Sequence, residues 1–107
     1  MSMVLSSRDR AYLRSEAGKM TAIMQVGKEG VTPALLATLG DALEARELIK
    51  LSVLETCPLE VKEALEVLST ELKAVPVAAI GRKVILFRPS SDKSRRNISL
   101  KLGGKTS

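Results

Sequence analysis

A chain of 107 residues with 45% apolar and 27% charged side chains, one cysteine, no histidine and a formal net charge of +5 is expected to form one domain that needs no disulfide staples. The composition excludes a disordered or collagen-like polymer, and the lone Cys57 excludes an internal disulfide and gives no sign of an oxidising compartment. No segment approaches the length of a membrane span, and residues 1–7 lack the basic start and apolar length of a signal peptide, so a cytoplasmic protein is expected.

Ser6 or Ser7 is suited to cap a first helix over residues 8–17. Asp9 stands three residues after Ser6 as in a capping box, and Gly18 is a stop. Arg8, Arg10, Arg14 and Lys19 give that helix a basic surface, read either as a solvated face or as phosphate contacts. The apolar run 23–26 predicts a short strand. Thr32 is a good N-cap and Pro33 suits the first helical position, where a missing N–H costs little. Leu35, Leu36, Leu39, Ala42 and Leu43 then recur at helical spacing and predict a core-facing stripe. Residues 48–54 alternate as a strand, with Ile49, Leu51 and Val53 on one face and Lys50 and Ser52 on the other. Cys57-Pro58 is expected to open a third helix carrying Val61, Ala64, Leu65, Leu68 and Leu72. Residues 75–80 form a third strand, and Pro76 favours its edge or its start. Gly81-Arg82 is a two-residue hairpin turn, and 83–88 return as the fourth strand before Pro89.

Between the first strand and the second helix lies Gly27-Lys28-Glu29-Gly30. Glycine at both ends lets the backbone take positive φ and removes Cβ atoms that would keep another chain away. The N–H groups of such a turn, with Lys28 at its tip, can point at an anion of phosphate size. The competing reading is a tight strand-to-helix connector. Charge is spread unevenly: residues 1–30 sum to +2, residues 31–80 to −4 and residues 81–107 to +7. That asymmetry points to a polyanionic partner for one face or end, or to a solubilising basic tail.

Chemistry for catalysis is not visible. Without histidine the usual general base and the commonest metal ligand are missing. One cysteine cannot build a thiolate zinc site, and the glycine spacing is not that of a Walker loop. Glu44, Glu47, Glu60, Glu63 and Glu66 are expected on solvated helix surfaces. No catalytic residue, metal, cofactor or small-molecule substrate is therefore expected.

Five segments in order carry a resemblance: Ser7-Arg8-Asp9-Arg10-Ala11-Tyr12-Leu13-Arg14, Val26 to Thr32 around the glycine loop, Ala42 to Lys50, Ile80 to Pro89, and Arg96-Asn97-Ile98-Ser99-Leu100. Together they resemble the CRM domain (chloroplast RNA splicing and ribosome maturation), in its small bacterial stand-alone form of the YhbY type. The resemblance implies a fold similar to the C-terminal domain of translation initiation factor three. It also implies RNA binding through the glycine loop, and association with ribosomal RNA in large-subunit precursors. Glu29 departs from the neutral polar residue expected at the loop tip, and Phe87 stands where tyrosine is common.

The element order α-β-α-β-α-β-β predicts an α/β two-layer fold: a four-stranded mixed sheet with helices packed on one face. Residues 1–90 are expected to form the RNA-binding domain and 91–107 a basic, flexible tail in which Ile98, Leu100 and Leu102 suggest a docking segment. The expected RNA-binding set is Gly27, Lys28, Glu29 and Gly30 with Arg8, Arg10, Arg14, Lys19, Arg82, Lys83, Arg88, Arg95 and Arg96. With only Tyr12 and Phe87 aromatic, a multi-base stacking platform is not expected. The alternative function is a protein-interaction module whose acidic middle, residues 41–71, docks on ribosomal proteins or another assembly factor.

Overall fold

The computed structural model describes residues 6–91. The first helix, α1 (Ser7–Gly18), starts where the Ser6 hydroxyl accepts from the Asp9 amide at 3.1 Å while the Asp9 carboxylate takes the Ser6 amide, the expected capping box. Asp9, Leu13 and Ala17 are its buried residues, and their spacing of four puts them in one stripe. β1 (Met24–Val26) follows. Thr32 caps α2 (Pro33–Arg46) by accepting from the Leu35 amide at 3.1 Å. β2 (Leu48–Val53) leads to α3 (Val61–Leu72), and β3 (Val75–Ile80) and β4 (Lys83–Phe87) close the order. The third helix begins later than Cys57-Pro58: Glu60 is its N-cap, and its amide donates to the Glu63 carboxylate at 3.0 Å. Cys57 closes the turn through Glu55 and Thr56, its amide donating to the Leu54 carbonyl at 3.0 Å, and Pro58 lies in the bend before the helix. No helix among the described residues is long and apolar enough to cross a membrane.

The four strands make one mixed sheet in the order β1-β2-β4-β3. β1 pairs parallel with β2, while β4 pairs antiparallel with both β2 and β3. The returning strand of the hairpin thus inserts between β2 and β3. Pro76 sits on the edge strand β3, beside an irregularity between Pro76 and Ala78, as its missing N–H requires.

The helices do not share one face, and the two-layer expectation is corrected. α2 and α3 cover Ile49, Leu51, Val53, Val84 and Leu86. Leu13 and Ala17 of α1 pack with Leu48, Val77, Ile85 and Phe87 instead. Residues alternating along β2 and β4 point to opposite faces, so α1 lies on the other side of the sheet. The reason is β4: Val84, Ile85, Leu86 and Phe87 are all buried. A strand apolar on both faces needs cover on both. Complete burial of a side chain such as Phe87 contributes about 1.5–3 kcal/mol.

A second correction concerns the acidic residues. Glu47 is 0% exposed, not solvated. It ends α2 with φ +67° and its carboxylate accepts from the Ser90 amide at 2.7 Å. Glu44 is bound to the Ser91 hydroxyl, to the Ser91 amide at 3.0 Å and to the Arg88 guanidinium at 3.0 Å. Both carboxylates therefore hold the segment leaving β4 against α2. The expected tail continues into residues 92–107, with Arg95, Arg96 and the proposed docking segment; these lie outside the described residues.

The Ser91 hydroxyl, then the Ser91 amide and Arg88, hold the Glu44 carboxyl below its ordinary value of 4.5, against burial, which raises it. A carboxyl depressed by folding stabilises the fold above its unfolded value and loses that contribution as pH falls through the folded one. Glu44→Gln is expected to lower stability at neutral pH, and the two proteins should converge at pH well below 4.5. Urea unfolding midpoints measured across that range test this.

Candidate nucleic-acid interface

β1 ends at Val26, and the Gly30 amide donates to the Gly27 carbonyl at 2.9 Å, closing a four-residue turn with Lys28 and Glu29 exposed at its tip. Among the described residues, the amides of Lys28 and Glu29 meet no protein acceptor. The two glycines do different work. Gly30 has φ +68°, is buried, and a Cβ there would lie 3.5 Å from Pro58 Cγ. Gly27 has no positive φ, and a Cβ there would meet Leu54 Cδ1 at an ordinary 3.5 Å. The expectation of positive φ at both ends holds for Gly30 alone.

Two further loops reach the same end of the sheet. The Leu54 amide donates to the Val26 carbonyl at 2.9 Å, so the chain leaving β2 runs beside the glycine loop. Ile80 pairs with Lys83, which leaves Gly81, at φ +60°, and Arg82 as the two-residue turn expected. Arg82 is locked to the end of β2 twice. Its carbonyl accepts from the Val53 amide and its Nε donates to the Val53 carbonyl, both at 2.8 Å. Nε is thereby occupied, and among the described residues the terminal nitrogens of this fork have no protein partner. A fork held this way is pre-organised for a phosphate. Arg82 and Lys62 also line an open cleft of about 540 Å³ whose other walls include Glu55, Pro58 and Glu60.

The end of the sheet that carries the glycine loop therefore gathers Lys28, Arg82 and Lys83, all exposed, with Glu29 and Glu55 among them. Lys62 was not among the expected cations. It lies in the acidic middle of the chain, and its position in the first turn of α3 was the available signal. The remaining expected residues are dispersed. Arg10 donates to the Pro76 carbonyl at 3.1 Å, at the start of β3 and away from the hairpin. Arg8 and Arg14 are exposed on the same helix. Lys19 follows α1 and pairs with Glu16 at 3.1 Å, a surface ion pair of little energetic weight. Lys50 donates to the Ala17 and Met20 carbonyls at 3.3 Å each, pinning the C-terminal end of α1 over β2. Arg88 stands at the opposite end of β4, donating to the Leu72 carbonyl at 2.7 Å, the Gly40 carbonyl at 3.2 Å and Glu44. Its guanidinium serves the fold.

Residues 5–88 match the family model of the CRS1 / YhbY (CRM) domain. A Bacillus subtilis (strain 168) relative named "Probable RNA-binding protein YqeI" is 37% identical over 89 residues, spanning 83% of this chain and 93% of its own. A Haemophilus influenzae relative named "RNA-binding protein" is 30% identical over 88 residues, spanning 82% of this chain and 89% of its own. The solution structure of the Staphylococcus aureus protein SAV1595 superposes with a TM-score of 0.72 at 33% identity, covering 88% of this chain and 98% of that one.

The two glycines are expected to separate by substitution. Gly30→Ala should cost about 1–2 kcal/mol, because alanine is strained at positive φ. Gly27→Ala should stay within about 0.5 kcal/mol of the parent. Chemical denaturation of the two variants checks this.

Proposed function

Because this chain belongs to the CRS1 / YhbY (CRM) domain family, we propose that it binds RNA. Its ligand is ribosomal RNA in precursors of the large ribosomal subunit, and it acts in the cytoplasm as an assembly factor, by binding and not by reaction. The names of the B. subtilis and H. influenzae relatives support RNA as the ligand. The family resemblance of the five sequence segments supports the ribosomal assignment. The observation that carries the reading to particular residues is the meeting of the Lys28–Glu29 tip and the Arg82–Lys83 hairpin at one end of the sheet.

In this reading Lys28 meets a phosphate, and the unpaired amides of the loop tip add donors to the same strand. Arg82, held at Nε by Val53, offers its terminal nitrogens to a second phosphate. Lys83 and Lys62 extend the contact, while Arg8, Arg14 and Lys19, dispersed along α1, are more distant contacts for an RNA that runs on over that helix. Gly27 and Gly30 fix the turn. Arg95 and Arg96 belong to the proposed basic tail. Arg10 and Arg88, spent on carbonyls and on Glu44, support the scaffold. Glu29 opposes the phosphate and tempers the loop's affinity.

A second reading rests on the opposite charge. Asp41, Glu63, Glu66 and Glu71 are exposed along α2 and α3, a surface suited to a basic protein partner. Binding to protein-free RNA separates the two.

For a site neutralising on the order of five phosphates, log K should fall against log salt with a slope of roughly −3.5 to −4.5. A titration on structured ribosomal RNA measures it, and a flat line rejects the electrostatic account. Lys28→Glu is expected to weaken binding and Glu29→Lys to tighten it, each by about tenfold. Unchanged affinity in both would make the loop a connector only.

A further inference from the structure

The strand register lines up four residues from one edge of the sheet to the other. Gln25 pairs with Ser52, Ser52 with Lys83, and Lys83 with Ile80. All four lie on the α1 face. Their neighbours Val26, Val53 and Val84 are buried with α2 and α3, and side chains alternate along a strand. Among the described residues, no helix covers the row. α1 covers Leu48, Val77, Ile85 and Phe87, and its C-terminal end is pinned over Lys50, the next residue of β2 on that face. Beyond it Gln25 and Lys83 are exposed, Ser52 is half-buried, and Ile80 is 57% exposed, the most exposed large apolar side chain described. Among the described residues, the Gln25 side-chain amide, the Ser52 hydroxyl and the Lys83 ammonium have no protein hydrogen-bond partner.

We propose that this row is a path for one extended RNA strand crossing the sheet from the glycine loop to the β3–β4 hairpin. The inference rests on RNA being the ligand and names the form it takes there, an unpaired strand. Four strands at about 4.8 Å spacing make a track about 14 Å long and one side chain wide, which suits a single backbone and not a double helix. The row holds no acidic side chain. It begins two residues before Gly27 and ends beside Arg82, so the track continues the end of the sheet that carries Lys28 and Arg82. Lys83 meets a phosphate. Gln25 and Ser52 offer donors and acceptors to base edges or to the 2′-hydroxyl, the group that distinguishes RNA from DNA. Ile80 packs against a base or a ribose. Without an aromatic ring in the row, stacking contributes little and sequence preference is modest.

The test uses the full chain with two probes: a short fluorescein-labelled oligouridylate, and a hairpin fragment of ribosomal RNA. Binding of the oligouridylate should shift the NMR amide signals of Gln25, Ser52, Ile80 and Lys83 together with those of residues 27–30. Ile80→Asp should weaken it about tenfold, and Ile80→Leu should leave it unchanged. Hairpin RNA bound in a Lys28-dependent way, with no shifts along the row and no binding of the oligouridylate, would overturn this inference and leave the function above standing. Failure to bind either RNA would overturn both. If Ile80→Asp instead turned a dimer into a monomer with oligouridylate affinity unchanged, the row would belong to a second copy of the chain and the inference would fall.

Discussion

The fold depends on one strand having no polar face. Val84, Ile85, Leu86 and Phe87 are buried in succession, so β4 cannot lie at an edge or leave one side in water. Its insertion between β2 and β3 meets that demand laterally, and helices above and below meet it across the sheet. Pro76 is displaced to the edge strand, where its missing N–H leaves no ladder bond unmade. With β4 central, the hairpin turn is carried to the end of the sheet where β1 and β2 finish.

That end is organised by main-chain bonds more than by charge. Leu54 to Val26, Gly30 to Gly27 and the double link between Val53 and Arg82 hold three loops together. The charges they present stand in water, where each pair interaction is weak and screened within about 10 Å at moderate salt. Cations and carboxylates alternate there, since Glu29, Glu55 and Glu60 accompany Lys28, Lys62, Arg82 and Lys83. Affinity for a polyanion would then come from the number and fixed position of contacts. An arginine already oriented by a carbonyl loses less freedom on binding than one that must be ordered.

The opposite end of β4 spends its charge internally. Arg88 is surrounded by two carbonyls and Glu44, while Glu47 and Glu44 take the amides of Ser90 and Ser91. Burying Glu47 completely is tolerable because its carboxylate is hydrogen-bonded. The same residue types, arginine and glutamate, thus stand in water at one end and hold the fold together at the other. Only position distinguishes them.

Local chemistry was legible in the chain itself. Ser6 and Thr32 cap as their side chains dictate, Pro76 finds an edge, and Gly81-Arg82 turns the hairpin, because each of these depends on neighbours within a few residues. The apolar run of β4 also carried the signal for cover on both faces, although alternation in β2 had suggested a single covered face. Tertiary structure alone decided which cations are spent. Arg88 is claimed by Gly40 and Glu44, and Arg10 by Pro76, through contacts spanning 48, 44 and 66 residues. It also decided that Gln25, Ser52, Lys83 and Ile80 form one row, since register is a relation between strands. The sequence determined the elements and the loop because their causes are local. The structure decided which cations are left in water, because that depends on which distant carbonyls and carboxylates come within reach.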